Sequence, residues 1–156
     1  MADAFSGRGI VAYNQNKLPE AIADFTKAIA ADPKSSKAYF NRGVANDDIN
    51  KYAEAAADYT KAIELDPKDI DALINRGSAL HKQNKIAEAI ADFTKAIEIG
   101  TTKPYAFNEL GAVWIKRGDN AKAEQYYKEA LLKAPDYSPS RYNLAKLLFS
   151  QKRYAE

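Results

Sequence analysis

The sequence has no cysteine and only one histidine, His81, among its 156 residues. Without cysteine there is no disulfide framework, no thiol nucleophile and no thiolate metal site, and a single imidazole excludes sites with several histidine ligands. Spacing gives no Ser-His-Asp or paired-carboxylate arrangement around His81, which we interpret as a surface side chain rather than a catalytic base. We therefore predict a protein that is not an enzyme, with no catalytic residue, no metal and no other cofactor.

Long apolar runs and an excess of one charge are also missing. No apolar stretch approaches the roughly 20 residues that cross a bilayer, and the N-terminal segment has no basic and then apolar secretory signal. The 23 basic and 21 acidic residues leave a net charge of +2, which is too even for the basic surface that nucleic acid binding requires. We expect a soluble domain with a protein or peptide partner, without nucleic acid binding or membrane insertion. The compartment stays open, with the cytoplasm as the first expectation.

What the sequence does have is an internal period of 34 residues that continues without an insertion. The columns that keep this step are Gly9, Gly43, Gly77 and Gly111; Ala21, Ala55, Ala89 and Ala123; Phe25, Tyr59, Phe93 and Tyr127; Ala28, Ala62, Ala96 and Ala130; and Pro33, Pro67 and Pro135. The period defines four full repeats and one partial repeat, at 2–35, 36–69, 70–103, 104–137 and 138–156.

Each repeat carries the signals of two helices, A and B. Helix A is predicted to close at residues that accept a left-handed backbone, and these are Asn16, Asn50, Asn84 and Gly118. Helix B is expected to open at Pro19 in the first repeat and to end before Asp32 and Pro33, since proline cannot continue a helix. In the third repeat, Gly100 is predicted to cap helix B, and Thr102 is a candidate N-cap for the helix that follows.

The glycine and alanine columns predict close helix crossings, with the aromatic column filling the space beside them. A two-helix unit cannot bury its apolar face alone, so we expect the units to stack in one dimension. At this point the 34-residue unit, with Gly or Ala, Ala, aromatic, Ala and Pro at fixed positions, resembles the tetratricopeptide repeat over residues 2 to 156. The resemblance implies an all-α, right-handed solenoid of antiparallel helix pairs, with four full repeats plus helix A of a fifth. It further implies a non-catalytic protein-protein interaction module, and we expect one domain over residues 1–156.

Members of this family bind partners mostly along the concave face that helix A lines. Carried onto this sequence, the resemblance implies a peptide-binding set of Tyr13, Lys37, Phe40, Asn41, Val44, Ile74, Asn75, His81, Lys82, Tyr105, Asn108 and Tyr142. The same positions also include Ile10, Asp47, Asp48, Glu109, Ala112, Ile115, Lys116, Asn143, Lys146 and Phe149. This mixture of apolar, amide and charged side chains is expected of a groove that binds an extended peptide.

Asparagine recurs at one of these positions as Asn41, Asn75 and Asn143, with Glu109 in the fourth repeat. An amide offers a donor and an acceptor to a passing peptide backbone, whatever the peptide's side chains are. The alternative is that these residues cap or bridge helices within the scaffold, and the sequence leaves both open. Family members that hold a chaperone's C-terminal carboxylate do so with lysine and arginine at set positions. Those cations are missing in every frame of this sequence, so we predict that this carboxylate clamp is not present.

Two residues change together along the repeats. Repeats one to three pair Arg8, Arg42 and Arg76 with Asp24, Asp58 and Asp92, whereas repeat four has Leu110 and Tyr126. We interpret this as an ion pair between helices A and B of one repeat, and a row of arginines that binds an anionic partner is the alternative.

The last helix A carries an apolar face of Leu144, Leu147, Leu148 and Phe149 without a helix B to cover it. Either this helix caps the stack with apolar surface exposed, or the sequence is a segment of a longer protein, which we favour. Exposed apolar surface would also favour a homodimer through the C-terminal helix. Two further functions stay open, namely a self-associating assembly scaffold and a docking domain of a larger enzyme.

Overall fold

The computed structural model describes residues 1–153, and this part of the chain forms nine α-helices and no strand. The helices are α1 (Ala2–Asn14), α2 (Leu18–Ala31), α3 (Ser36–Asp48), α4 (Tyr52–Leu65), α5 (Ile70–Lys82), α6 (Ile86–Ile99), α7 (Pro104–Arg117), α8 (Asn120–Lys133) and α9 (Ser138–Ser150). The odd-numbered helices are the predicted A helices and the even-numbered ones are the predicted B helices. The start of every helix A coincides with the start of a repeat, which confirms the predicted register.

The chain divides into two compact units, an N-terminal unit of Met1–Asn84 and a C-terminal unit of Lys85–Glu156. In the N-terminal unit, α1 packs on α2, α3 packs on α4, and α2 and α4 each pack on the helix A that follows them. In the C-terminal unit, α7 packs on both α6 and α8, and α9 packs on α8. Neighbouring A helices also touch, α1 with α3, α3 with α5, and α7 with α9. That residues 1–156 form a single domain stays a prediction.

The predicted turns between helices A and B are confirmed by the backbone. Asn16, Asn50 and Asn84 have φ angles of 59°, 61° and 63°, and Gly118 has 88°. Asparagine tolerates this left-handed conformation because its short polar side chain can hydrogen-bond locally. Gly100, with φ of 110°, ends α6 as predicted.

The prediction of Thr102 as an N-cap is wrong. Lys103 is the N-cap of α7, in an extended conformation with ψ of 116°. The physical reason is Pro104, which opens α7 and pushes the residue before it out of the helical region. The neighbouring Thr101 side chain, rather than that of Thr102, accepts a hydrogen bond from the Lys103 backbone N–H at 3.3 Å.

Glycine permits a close crossing of helices A and B within a repeat. A Cβ atom added to Gly9 would lie 2.7 Å from the Phe25 ring, and one added to Gly111 would lie 2.6 Å from the Tyr127 ring. Real Cβ contacts are longer than this, so the aromatic ring occupies the space that a side chain would need. The predicted close packing at the glycine and aromatic columns is confirmed in the first, second and fourth repeats, where these crossings are described.

The predicted ion pairs form within the first two repeats. The Arg8 guanidinium donates two hydrogen bonds of 2.6 Å to the Asp24 carboxylate, and Arg42 donates bonds of 2.9 and 2.6 Å to Asp58. Hydrogen bonding from Arg8 holds the pKa of the Asp24 carboxyl below its usual value. Arg8 and Arg42 therefore each form an ion pair with a carboxylate of their own repeat. The pair of Arg76 with Asp92 stays a prediction.

Candidate functional site

A pocket of about 200 Å³ lies between α1 and α3 in the N-terminal unit. We call it the N-terminal pocket, and its lining residues are Ile10, Tyr13, Phe25, Asn41 and Val44. Ile10 and Tyr13 are three residues apart on α1, as Asn41 and Val44 are on α3, and this spacing places each pair on one helix face. The edge of the buried Phe25 ring from α2 completes the lining. The structure thus brings together Tyr13, Asn41 and Val44, three of the residues predicted for peptide binding.

Charged side chains beside this pocket are paired with one another. The Tyr13 hydroxyl donates a 2.6 Å hydrogen bond to Asp48, which together with burial raises the pKa of Tyr13 to about 12. The Lys82 ammonium lies 3.0 Å from the Asp47 carboxylate and 4.7 Å from the centre of the Tyr52 ring. Lys82 and the two aspartates are therefore part of a side-chain network that links α1, α3 and α5.

A second pocket, of about 320 Å³, lies between α7 and α9 in the C-terminal unit. We call it the C-terminal pocket, and it is lined by Ala112, Ile115, Asn120, Tyr127, Asn143, Lys146, Leu147 and Ser150. Five of these stand three repeats after the five residues of the N-terminal pocket, in the same order, and they are Ala112, Ile115, Tyr127, Asn143 and Lys146. The same repeat positions therefore build a pocket in each unit.

Asn143 has a partner within the scaffold of the C-terminal unit. Its side-chain amide donates to the Asn108 carbonyl oxygen at 3.0 Å, and the Ser140 hydroxyl donates to the same oxygen at 3.0 Å. The Asn108 amide in turn donates to the Glu109 carboxylate at 3.2 Å. This confirms the bridging role for Asn143, while its position in the pocket lining keeps it accessible to a ligand.

The other predicted site residues differ in accessibility. Ile74 and Asn108 are only 3% and 4% exposed, so their side chains offer a partner almost no surface. Phe40 is half-buried, with its ring centre 5.8 Å from that of Tyr59, and Asn75 and His81 are also half-buried. Lys37, Tyr105 and Tyr142 are exposed.

Sequence reasoning missed several lining residues. Phe25 and Tyr127 belong to the aromatic column that the sequence assigns to helix packing, yet each also lines a pocket. Asn120, at the start of α8, lies outside the helix A positions that the family resemblance implied. Ser150, at the end of α9, stands at the same repeat position as Lys82 but was not among the predicted residues.

A third cavity, of about 490 Å³, lies against α8 and α9, and we call it the α9 cavity. Its lining residues are Leu131, Arg141, Leu144, Ala145, Leu148, Phe149 and Arg153. Leu148 and its neighbour Leu147 are buried, Leu144 is half-buried and Phe149 is 70% exposed, so the predicted apolar face of α9 is only partly covered. The chain end at residues 154–156 lies outside the described residues.

Comparison with known proteins identifies the family. Tetratricopeptide repeat models match residues 6–70, 47–104 and 115–156. The chain belongs to the tetratricopeptide repeat family. No curated protein sequence matches the chain. The all-α fold predicted from the sequence is the fold of this family.

The solved structures that share this repeat fold include MamA, YrrB and the first repeat domain of Spaghetti. MamA is 22% identical with a TM-score of 0.88, over 94% of this chain and 85% of that one. YrrB, described as a tetratricopeptide repeat protein with an unusual peptide-binding site, is 19% identical with a TM-score of 0.83, over 99% and 80%. The first repeat domain of Spaghetti (RPAP3), bound to an HSP90 peptide, is 29% identical with a TM-score of 0.73, over 75% and 93%. These TM-scores establish the shared fold.

Within residues 1–153, no helix combines the length and apolarity that a membrane span needs. The same stretch holds no group of three or more histidine, aspartate or glutamate side chains arranged to bind a metal ion.

Proposed function

We propose that this tetratricopeptide repeat protein is a non-catalytic interaction module that binds an extended peptide segment along its A helices. The observation that carries the proposal is the recurrence, in both units, of one pocket whose five equivalent residues come from two successive repeats. A segment in extended conformation presents alternate side chains to the same side, so one of them can enter such a pocket.

The chemistry of the pockets supports this proposal. Each combines an aromatic ring and aliphatic side chains with an asparagine at the same repeat position, Asn41 or Asn143. A lining of apolar side chains with a few polar groups is typical of ligand sites. The asparagine amide suits the peptide backbone, which carries both donors and acceptors. The descriptions of YrrB and of Spaghetti show that proteins of this fold bind peptides, which makes the same use reasonable here.

The proposed binding surface consists of the accessible residues only. It comprises Tyr13, Lys37, Phe40, Asn41, Val44, Asn75, His81, Lys82, Tyr105 and Tyr142, together with the lining of the two pockets. Ile74 and Asn108 are left out because they are buried, and we assign them to the packing beneath that surface.

The test starts from short peptides selected on the purified protein from a random display library. Asn41→Ala and Asn143→Ala should each weaken binding of the selected peptides by about 2- to 10-fold, the loss expected for one neutral hydrogen bond. The matched control is Gln125→Ala, which removes an exposed amide on α8 that lies in neither pocket. Equal affinities for the wild type and both pocket variants would contradict the proposal, provided that circular dichroism shows unchanged helicity.

Self-association is a second candidate function, and the α9 cavity favours it. Its apolar lining includes the exposed Phe149, and Leu132 on α8 is 81% exposed. A second copy of the chain, docked through its own α9, would cover this surface in a homodimer. Light scattering over a concentration series should then show a dimer that Leu144→Glu and Phe149→Glu disrupt. A monomer at every concentration would rule out self-association and leave the peptide proposal untouched.

A further inference from the structure

The two pockets differ in charge at one equivalent position. Val44 lines the N-terminal pocket, and three repeats later Lys146 lines the C-terminal pocket. Lys146 is exposed and has neither a hydrogen bond nor an ion pair with any of residues 1–153. By contrast, Lys128 and Lys122 of the same unit lie 2.6 and 3.9 Å from the carboxylates of Glu124 and Asp119. The C-terminal pocket therefore contains a cation that no carboxylate of the described chain neutralises.

Building on the peptide binding proposed above, we infer that the C-terminal pocket selects an acidic side chain, aspartate or glutamate, from within the bound segment. The carboxylate binds the Lys146 ammonium at the pocket wall, and the aliphatic part of the side chain packs against Ala112 and Ile115. Asn120 and Ser150 add uncharged polar groups to the same lining. The Lys146 ammonium and the bound carboxylate have opposite charges, and a hydrogen bond to an ionised group is stronger than one between neutral groups.

We expect the N-terminal pocket to prefer an uncharged side chain instead. Its Tyr13 hydroxyl already donates to the Asp48 carboxylate, and Asp47 is next in sequence. An acidic side chain placed there would meet a carboxylate at the pocket edge and no cation in the lining. An uncharged side chain suits Ile10 and Val44 in the lining of this pocket.

One carboxylate works against the acidic ligand in the C-terminal unit. Glu109 accepts a hydrogen bond from Asn108, and its charge together with burial raises the pKa of Tyr127 in the pocket lining to about 12, burial being the larger cause. The Tyr127 hydroxyl is uncharged at neutral pH, so it adds no repulsion. Removing the Glu109 charge should therefore strengthen the preference for acidic peptides.

The experiment uses short peptides that are selected from a display library and then synthesised with an acetylated N-terminus and an amidated C-terminus. We measure the ratio of affinities between each selected peptide with Asp or Glu and its Asn or Gln counterpart. The wild type should prefer the acidic form by about 5-fold, the upper range for a solvent-accessible ion pair, and high salt should reduce the ratio. Lys146→Val, which copies Val44, should abolish the preference. Lys146→Glu should shift it to basic peptides, and Glu109→Gln should increase it.

The matched control is Lys95→Val, which removes the same charge from an exposed position on α6 that lies in neither pocket. It should leave the acidic preference unchanged. Peptides that bind without an acidic preference, or a preference that survives Lys146→Val, would overturn this inference alone. An acidic preference that appears only with a free C-terminal carboxylate would overturn it as well, because the source would then be the chain end. If no peptide binds at all, the proposed function itself fails.

Discussion

The N-terminal and C-terminal pockets share their aromatic floor and their asparagine, and they differ in the side chains that face a ligand. Phe25 and Tyr127 both lie against a glycine of their own repeat, and Asn41 and Asn143 occupy one repeat position. At the other three positions Ile10, Tyr13 and Val44 become Ala112, Ile115 and Lys146. The residues that pack the helices are thus nearly constant, while those at the opening vary. A repeat can change its ligand chemistry without disturbing its packing.

The largest effect is expected from removing the shared aromatic floor. Phe25→Ala and Tyr127→Ala should each lower the free energy of unfolding by about 3–5 kcal/mol, because a buried ring leaves a cavity that rigid helices cannot close. Urea denaturation followed by circular dichroism measures the change. A loss below about 1 kcal/mol in one unit and a full loss in the other would mean that the two floors are not equivalent, contrary to the comparison.

The glycines opposite these rings give the next largest effect. Gly9→Ala and Gly111→Ala should each cost about 1–3 kcal/mol of unfolding free energy, since the new Cβ atom would overlap the aromatic ring. Gly7→Ala is the matched control, because a Cβ atom there meets nothing within 4 Å. It should stabilise α1 by about 0.5–1 kcal/mol through helix propensity alone. Stabilisation by all three substitutions, measured in the same urea titration, would show that the crossings are loose.

The arginine–aspartate ion pairs are a second difference between the N-terminal unit and the fourth repeat. Arg42, whose side chain is 23% exposed, binds the buried Asp58, whereas the fourth repeat has Leu110 and Tyr126 at these two positions. Arg42→Leu alone should cost about 1–3 kcal/mol of unfolding free energy, because it leaves a buried carboxylate short of donors. The double variant Arg42→Leu with Asp58→Tyr, which copies the fourth repeat, should cost less. A double variant as unstable as the sum of its single changes would argue that the two positions act independently.

The smallest effect concerns the hydrogen bond beside the N-terminal pocket. Tyr13→Phe removes the bond to Asp48 and should cost at most about 1 kcal/mol of unfolding free energy. The folded pKa of Tyr13 is raised from 10.0 to about 12, so this stabilisation is present below pH 10 and is lost as the pH rises through 12. The wild type and the variant should therefore converge in stability at alkaline pH. A constant difference across that range would contradict the assignment of the bond.

The helices, their order and most of their ends were predictable because the signals are local. Asn16 and Gly118 mark left-handed turns by residue type, and the constant spacing of Gly9 and Gly111 fixes the register of the crossings. Thr102 was misjudged because two signals competed, and the steric effect of Pro104 outweighed side-chain capping.

The candidate site was only partly predictable, because accessibility depends on packing between helices that are distant in sequence. Ile74 and Asn143 stand at positions that the family resemblance assigns to the groove, yet Ile74 is buried and Asn143 bridges to Asn108. The period explains why equivalent residues line the two pockets. That Lys146 has no partner among residues 1–153 could not be inferred from sequence, since it requires the positions of the neighbouring carboxylates.

The most direct test of the peptide-binding account is an NMR titration of the ¹⁵N-labelled protein with a selected peptide, followed through the side-chain amide signals. The account predicts that the signals of Asn41 and Asn143, which line the two pockets, shift in a saturable manner while that of Gln125 on α8 does not. If the peptide binds and neither pocket asparagine responds, then the binding surface lies elsewhere and the account is wrong.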